Sequence, residues 1–553
     1  METDTAISAE GRASRAVLNG FIPPNRAVYS TAAIATGVTA VAVLCAVALR
    51  WFNLAGQSLY VDEGQTNFAV NLSPAKIIRF AQSTDHPPLY FLLEHYWIAL
   101  FGNSESALRA MSALFGTLSL PVFYLLAKKV LKDSMAVALA MWLFAFSMTQ
   151  IWYSREARSY EMASFLAVVS LYALVLFLER RSTTLFVTIV LAAAASLYSH
   201  NMMLFYVFAL NIVWLTYPSE RTWTRRLREL LLADVLIGAL YLPWVPSLSR
   251  QASVDIVQKL FWASRPTVRT LFATLSFIAG LNRAYLGWLP SRFLSLPPAA
   301  AGLLVDWAIA LLCAILLACG LARLPKADRQ RSGSLLLFGL VPIFAVFVFS
   351  QITTPLFIDR IFTNSSVVFP IVFAFPLTLR TGRKERVLYG VLSIVLAVVT
   401  SLSAFGYLRY QQKPDWRDAI GSLLKIPERK RLIVFVPRMG EPLFDYYSQN
   451  SPEGTQELAK FALPVSYVES FPPPRGGQIH AAELNRLKRA VEAGKYPEID
   501  LLLSGERHDD PNETVAGYLS QVYVLVGEQQ FYGVRFLRFV APRQQSVEIV
   551  TNK

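Results

Sequence analysis

Charge is scarce in this sequence. Only 16% of its 553 residues are Asp, Glu, Lys or Arg, whereas a water-soluble globular chain carries about a quarter. Cysteine is scarcer. Cys45, Cys313 and Cys319 are the only three, and each falls inside an apolar run. That excludes a disulfide framework and a cysteine-based metal site. There is no glycine-rich phosphate loop and no Gly-x-Ser-x-Gly elbow, which removes P-loop nucleotide chemistry and the serine-hydrolase type. The five histidines form no cluster along the chain, so nothing argues for a bound metal.

What the chain has in excess is apolar length: 54% of it is hydrophobic. Ile34 to Ala48, Leu335 to Gln351 and Val387 to Leu408 contain no charge at all. A helix needs roughly 20 residues to cross about 30 Å of hydrocarbon. By that length the sequence predicts about eleven spans, near 30–49, 105–127, 135–152, 160–178, 183–198, 201–217, 230–248, 300–322, 334–351, 364–380 and 387–408. So many apolar runs cannot all be buried in one soluble core. The expected fold is a mainly α, polytopic transmembrane bundle at 30–409, after a polar segment 1–29. That leader is long for a cleaved signal and no small-residue cleavage site follows it, so the first span reads as an uncleaved anchor.

The net charge of +14 is placed by topology. Alternate connections are short and basic: Lys128, Lys129 and Lys132; Arg180 and Arg181; Arg221, Arg225, Arg226 and Arg228; Arg323, Lys326, Arg329 and Arg331; Arg380, Arg383, Lys384 and Arg386. Short basic loops stay cytoplasmic. All five fall on one side if the amino terminus is cytoplasmic, and a nucleic-acid partner is not needed to explain them.

The other side receives 50–104, 249–299 and everything after 409. In the first of these, Leu89 to Phe101 is apolar but broken by Glu94 and His95, and reads as a helix lying at the interface with Tyr90, Tyr96 and Trp97 at headgroup level. Residues 410–553 read as a small outer α/β domain. Strands are expected at Arg431 to Val436 and Ile499 to Leu503, with a helix at Ala481 to Ala493. A terminal strand pair is expected at Tyr518 to Val526 and Gly533 to Val540.

Three places carry candidate chemistry. Asp62 and Glu63, in Tyr60-Val61-Asp62-Glu63-Gly64, lie about a dozen residues beyond the first span. Adjacent carboxylates near lipid are costly unless they meet water, a partner or a substrate. They suit a catalytic base and an orienting carboxylate. Tyr153-Ser154-Arg155-Glu156-Ala157-Arg158-Ser159-Tyr160 occupies a tight outer turn. Basic residues are depleted there, so Arg155 and Arg158 need a reason, and a phosphodiester supplies one. Asp85-His86-Pro87-Pro88 and Arg109 come third, with His200, Asp359 and Arg360 as further candidates for the same cavity. Each of these charges could instead belong to a structural ion pair, and each histidine could simply pack.

Together these residues resemble bacterial members of the C-type glycosyltransferase superfamily, in particular the protein O-mannosyltransferase and aminoarabinose-transferase branch. The resemblance rests on Asp62-Glu63, on His86-Pro87-Pro88-Leu89-Tyr90 running into Phe101 to Arg109, and on Tyr153 to Arg158. It covers roughly the first 220 residues. Lys413-Pro414-Asp415-Trp416-Arg417 is similar to the start of the outer domain in such proteins. The resemblance implies a multi-pass enzyme of a bacterial plasma membrane with a polyprenyl-phosphate sugar donor, an acceptor lipid, glycan or protein, and no bound metal in general. It implies catalysis by Asp62, with Glu63 as second choice, and donor-phosphate contacts from Arg109 and Arg158; Arg155 is a further phosphate candidate, and Tyr60, His86, Tyr153, Glu156, Tyr160, His200 and Arg360 are the candidates for the substrate cavity. A flippase or ligase of lipid-linked saccharides would share many of these features. No internal repeat of the kind common in transporters is evident in this chain.

Overall fold

In the computed structural model the chain is mainly helical and carries one small sheet near its carboxyl end. The described residues run from 26 to 542, apart from 85, 253–264, 279–303, scattered positions between 305 and 321, 354, 380–381, 410–412, 427–429, 450–457, 465–478 and 506–509. The expected span at 300–322, most of the 249–299 segment, Asp85 and Arg380 therefore lie wholly or mainly outside them.

Six described helices are long and apolar enough to cross a membrane, or eight if each of two bent helix pairs counts as one span. The first is α1 (Arg26–Trp51). Three helices then fill the segment to residue 101: α2 (Val61–Val70), α3 (Pro74–Ser83) and α4 (Leu89–Phe101). The long α5 (Glu105–Leu131) follows, then the pair α6 (Ser134–Ala145) and α7 (Met148–Ser154), bent by 48°, then α8 (Tyr160–Glu179). Two expected spans, 183–198 and 201–217, fall in Thr183–Ser199 and Met203–Thr216, helices of 17 and 14 residues, shorter than the usual crossing length. The expected 364–380 span is the bent pair Asp359–Val367 and Phe369–Thr378.

Side-chain contacts tie the basic connections to one another. Lys129 pairs with Glu179, Arg221 donates to the Phe177 carbonyl, Gln330 to that of Thr216, and Arg323 pairs with Glu385. All five connections thus gather at one end of the bundle. The loops that carry Asp62, Arg158 and Arg360 meet at the other.

α4 is helical as its apolar run predicts, yet it does not lie with all its aromatics in a headgroup layer. Tyr90 is buried and bonds to Ser112, and the Trp97 indole donates to the Ala107 carbonyl; Tyr96 and Phe101 are exposed.

The sheet has the order β2-β1-β3-β5-β4, with β1 (Arg431–Val436), β2 (Ala459–Ala462), β3 (Glu498–Leu503), β4 (Val524–Phe531) and β5 (Val534–Val540). β1 runs parallel to β2 and β3, and β5 is antiparallel to β3 and β4. β1 and β3 are buried throughout; β1 carries the unbroken apolar run Leu432 to Val436, and Arg431 pairs with Asp500 across the two strands at 3.4 Å. The first member of the expected terminal pair is displaced. Residues 514–522 are helical because Val515, Ala516 and Leu519 recur at helical spacing and are all buried, and the strand begins only at Val524.

A candidate lipid-phosphate site at the end of the bundle

The site begins at the amino terminus of α2. Asp62 and Glu63 lie in its first turn, where negative charge is favoured by the helix dipole. Their environments differ. Glu63 is fully buried. Arg109 grips it with Nε at 2.8 Å and Nη2 at 2.7 Å, the Lys413 ammonium donates at 3.0 Å, and the Ala157 amide donates at 3.1 Å. Burial opposes its ionisation, but Arg109 and Lys413 outweigh that and hold its pKa down at about 2. Such a carboxylate has neither the access nor the basicity to take a proton. These contacts suit Glu63 to a structural anchor, and they set it apart from its neighbour Asp62, the other candidate for catalysis.

Arg109 is committed in the same way. A guanidinium has five N–H donors. In Arg109 all are engaged: Nε and Nη2 on Glu63, Nη1 on the carbonyls of Leu54 at 2.6 Å and Gln57 at 2.7 Å, and Nη2 on that of Ser58 at 2.9 Å. No donor remains for a phosphate. Arg155 is likewise a structural clamp. It holds the carbonyls of Leu49 at 2.9 Å, Phe52 at 2.6 Å and Asn53 at 3.0 Å, in the last turn of α1 and the turn that follows it. Breaking a buried pair by removing one partner costs roughly 3–5 kcal/mol. A Glu63→Ala variant should accordingly lose much of its thermal stability in detergent; a melting curve matching the wild type would contradict the anchoring role.

Asp62 is the accessible carboxylate. Its side chain is 17% exposed, and Arg360, 30% exposed, reaches its Oδ2 at 2.8 Å. Tyr60 stands between two acids, its hydroxyl 3.4 Å from Asp62 and 3.3 Å from Glu156. Burial pushes the Asp62 pKa up, but Arg158 and Arg360 outweigh it and the net direction is down. Glu156 goes the other way. Burial raises its pKa, and its carboxylate is held by the Trp152 indole at 2.5 Å.

Arg158 is buried at the floor, and its direct bonds go to neutral groups. Nη1 lies 3.2 Å from the Asp62 carbonyl, 3.4 Å from Thr66 and 3.5 Å from Gln65, and Nη2 is 2.5 Å from His86 Nε2. An arginine is always charged, so His86 Nε2 is the acceptor and the ring proton is assigned to Nδ1. Aromatic rings wall the space above. The His86 and His200 rings are 5.6 Å apart, His200 and Tyr160 5.4 Å, and Tyr160 and Tyr153 5.0 Å. Burial, with Arg158 and Arg360 nearby, drops the His200 pKa to about 3, so this ring stays neutral. His86, Tyr90, Phe91 and Arg158 pack around a narrow cleft.

The structure thus brings Tyr60, Asp62, His86, Tyr153, Glu156, Arg158, Tyr160, His200 and Arg360 together. Asp359, beside Arg360 in the chain, bonds instead to Thr274 at 2.8 Å. Lys413 is the residue that sequence reasoning passed over. A lysine just past the last long helix, on the side where basic residues are rare, carries the same signal as Arg158. Among the described residues no group of three His, Cys, Asp or Glu side chains is placed to hold a metal.

Comparison with known proteins follows this geometry. Residues 85–246 match the family model described as dolichyl-phosphate-mannose-protein mannosyltransferase. No curated protein sequence matches the chain. Among solved structures, ArnT from Cupriavidus metallidurans bound to undecaprenyl phosphate is similar with a TM-score of 0.53 and 12% identity, over 91% of this chain and 98% of that one. The archaeal oligosaccharyltransferase AglB from Archaeoglobus fulgidus, in complex with an inhibitory peptide and a dolichol-phosphate, gives 0.44 and 14%, over 88% and 70%. The chain thus shares the fold of ArnT over most of its length, and residues 85–246 match the mannosyltransferase family model in sequence.

Proposed function

We propose that this protein is an integral membrane glycosyltransferase that moves a sugar from a polyprenyl phosphate to an acceptor at the outer face of the membrane. The observation that carries this reading is the pairing of one accessible carboxylate, Asp62, with two arginines at the end of a hydrophobic bundle. One of them, Arg158, has only neutral direct partners, and the other, Arg360, is partly exposed. One carboxylate between two guanidiniums leaves positive charge for an anion. The matching family model and the likeness in fold to ArnT, a protein seen bound to undecaprenyl phosphate, support a lipid phosphate as the anion.

In this reading the donor's apolar tail stays in the bilayer and its phosphate meets Arg158 and Arg360. The phosphate draws Arg360 from Asp62 and so raises the carboxylate's basicity at the moment it is needed. Asp62 takes the proton from an acceptor O–H or N–H, the acceptor's electron pair attacks the anomeric carbon, and the bond from that carbon to the phosphate oxygen breaks. Configuration inverts, and polyprenyl phosphate leaves as a dianion stabilised by the arginines. A phosphate leaves without being protonated, so one carboxylate suffices where a glycosidase needs two.

Mass spectrometry of the envelope glycolipids, glycans and glycoproteins of cells with and without the gene tests this directly. Loss of a sugar-sized mass increment is expected, and it names the sugar and acceptor together; identical profiles would contradict the reading. Acidity provides a second test. Because Arg360 helps hold the Asp62 pKa below its ordinary value, ionised Asp62 persists into acid and its contribution is lost only as pH falls through that lowered pKa. Arg360→Gln should move the acid limb of kcat/KM, which reports the free enzyme, to higher pH. An unmoved limb would separate Asp62 from the chemistry.

A further inference from the structure

The chemistry just proposed takes nothing from the carboxyl-terminal sheet, yet the sheet is bound tightly to the Asp62 loop. The connection is Lys413-Pro414-Asp415-Trp416-Arg417, the segment that follows the last long helix. Lys413 Nζ donates to Glu63 at 3.0 Å and to the Arg155 carbonyl at 3.2 Å, and its backbone amide donates to Gln57 at 3.0 Å. Ser58 donates to the Pro414 carbonyl at 2.7 Å and accepts the Trp416 amide at 3.1 Å. Arg417 pairs with Glu105 and donates to the Ala55 carbonyl at 2.8 Å.

The sheet grips this segment from behind. The Asp415 amide donates to the Tyr532 carbonyl at 2.7 Å, in the β4–β5 turn. Pro414 lies against Gly533, where φ is +68° and a Cβ would come within 2.9 Å of the proline ring. A second grip comes from the helix Gly440–Gln449. Its Tyr447 hydroxyl accepts the Leu59 amide at 2.7 Å and donates to Glu105. Its Leu443 covers Gly64 so closely that a Cβ there would lie 2.6 Å away. Loop 54–64 is thus held from both sides by residues hundreds of positions away.

We infer that Lys413 is a positioning residue, and that the sheet domain acts through its bond to Glu63 as a clamp that fixes Asp62 over the two arginines. This rests on Asp62 being the reacting carboxylate. Asp62 and Glu63 are neighbours in one helical turn, so whatever shifts Glu63 shifts Asp62. A 1 Å misplacement of a reacting group can cost about 10²-fold in rate. The clamp also has a pH limit. Lys413 is buried beside Arg109, both of which lower its pKa, while Glu63 and Glu156 oppose them; the net value is about 8. The Tyr60 ring also lies close to Lys413, 5.3 Å away. The ammonium prevails below about pH 8, and its ion pair with Glu63 weakens as pH rises through that value.

The test measures transfer, read as restoration of the missing mass increment, in membranes from a deletion strain carrying each variant, together with binding of undecaprenyl phosphate to the purified full chain. Lys413→Met should transfer about 10²-fold more slowly, with undecaprenyl phosphate affinity within two-fold of wild type. Lys413→Arg, which cannot deprotonate, should keep its rate above pH 8 where the wild type declines. Tyr447→Phe, a milder break on the sheet side, should slow transfer without moving affinity. Wild-type rates in Lys413→Met and Tyr447→Phe beside an inactive Asp62→Asn would overturn the clamp and leave the proposed function standing. If Lys413→Met does not fold, an alkaline decline that persists in Lys413→Arg overturns it equally. An active Asp62→Asn would remove the proposed function, and the clamp with it.

Discussion

Asp62→Asn is expected to lower transfer by about 10²–10⁴-fold, the range that a positioned general base supplies. The amide keeps the shape and cannot accept the acceptor's proton. It should not impair the lipid site. Asp62 is the carboxylate that Arg360 pairs with at 2.8 Å. Removing its charge leaves Arg360 and Arg158 more positive, so undecaprenyl phosphate should bind at least as tightly as before. The combination is diagnostic, because an unfolded variant would lose both. Equilibrium binding of the lipid phosphate and single-turnover transfer separate the two effects. Weakened binding with normal turnover would reverse the assignment and make Asp62 a binding residue.

Arg158→Ala should do the opposite. Its guanidinium is buried and oriented by the Asp62 carbonyl, Thr66 and His86, so its charge is aimed before the ligand arrives. Losing one partner of a buried charge-assisted contact costs about 2–5 kcal/mol. That corresponds to roughly 30-fold or more in dissociation constant. Lysine should rescue poorly, because one ammonium cannot reproduce the two-ended fork that meets His86 on one nitrogen and the α2 groups on the other. Undecaprenyl phosphate affinity measured for wild type, Arg158→Ala and Arg158→Lys checks this. Equal affinities would move the phosphate elsewhere.

The sequence marks these residues by a single physical signal: charge where charge is costly. Asp62, Glu63, Arg109, Arg155, Arg158 and Lys413 all carry it. What it cannot do is say what balances each charge. Glu63 is satisfied by Arg109, 46 positions on, and by Lys413, 350 positions on. Arg155 caps carbonyls of α1 some hundred residues upstream. A phosphate ligand and a set of backbone carbonyls demand the same donors, and only the folded chain tells them apart. Local patterns read more easily. Apolar length located the six long helices and two bent pairs that could cross a membrane, whereas the spans expected at 183–198 and 201–217 fall in helices shorter than a full crossing. The strand at 431–436 follows from the apolar run Leu432 to Val436, and that at 498–503 from Ile499 and Leu501 to Leu503. Residues 518–522 misread because Tyr518, Leu519 and Val522 suit a strand locally, whereas burial of Val515 and Leu519 on one face makes a helix.

A structure of the protein with bound undecaprenyl phosphate tests the central claim most directly. The account predicts the phosphate oxygens within hydrogen-bond distance of Arg158 and Arg360, with Asp62 released from Arg360 and facing open space, and with Glu63 still gripped by Arg109 and Lys413. A phosphate seated away from both arginines, or an Asp62–Arg360 pair intact beneath it, would contradict the account.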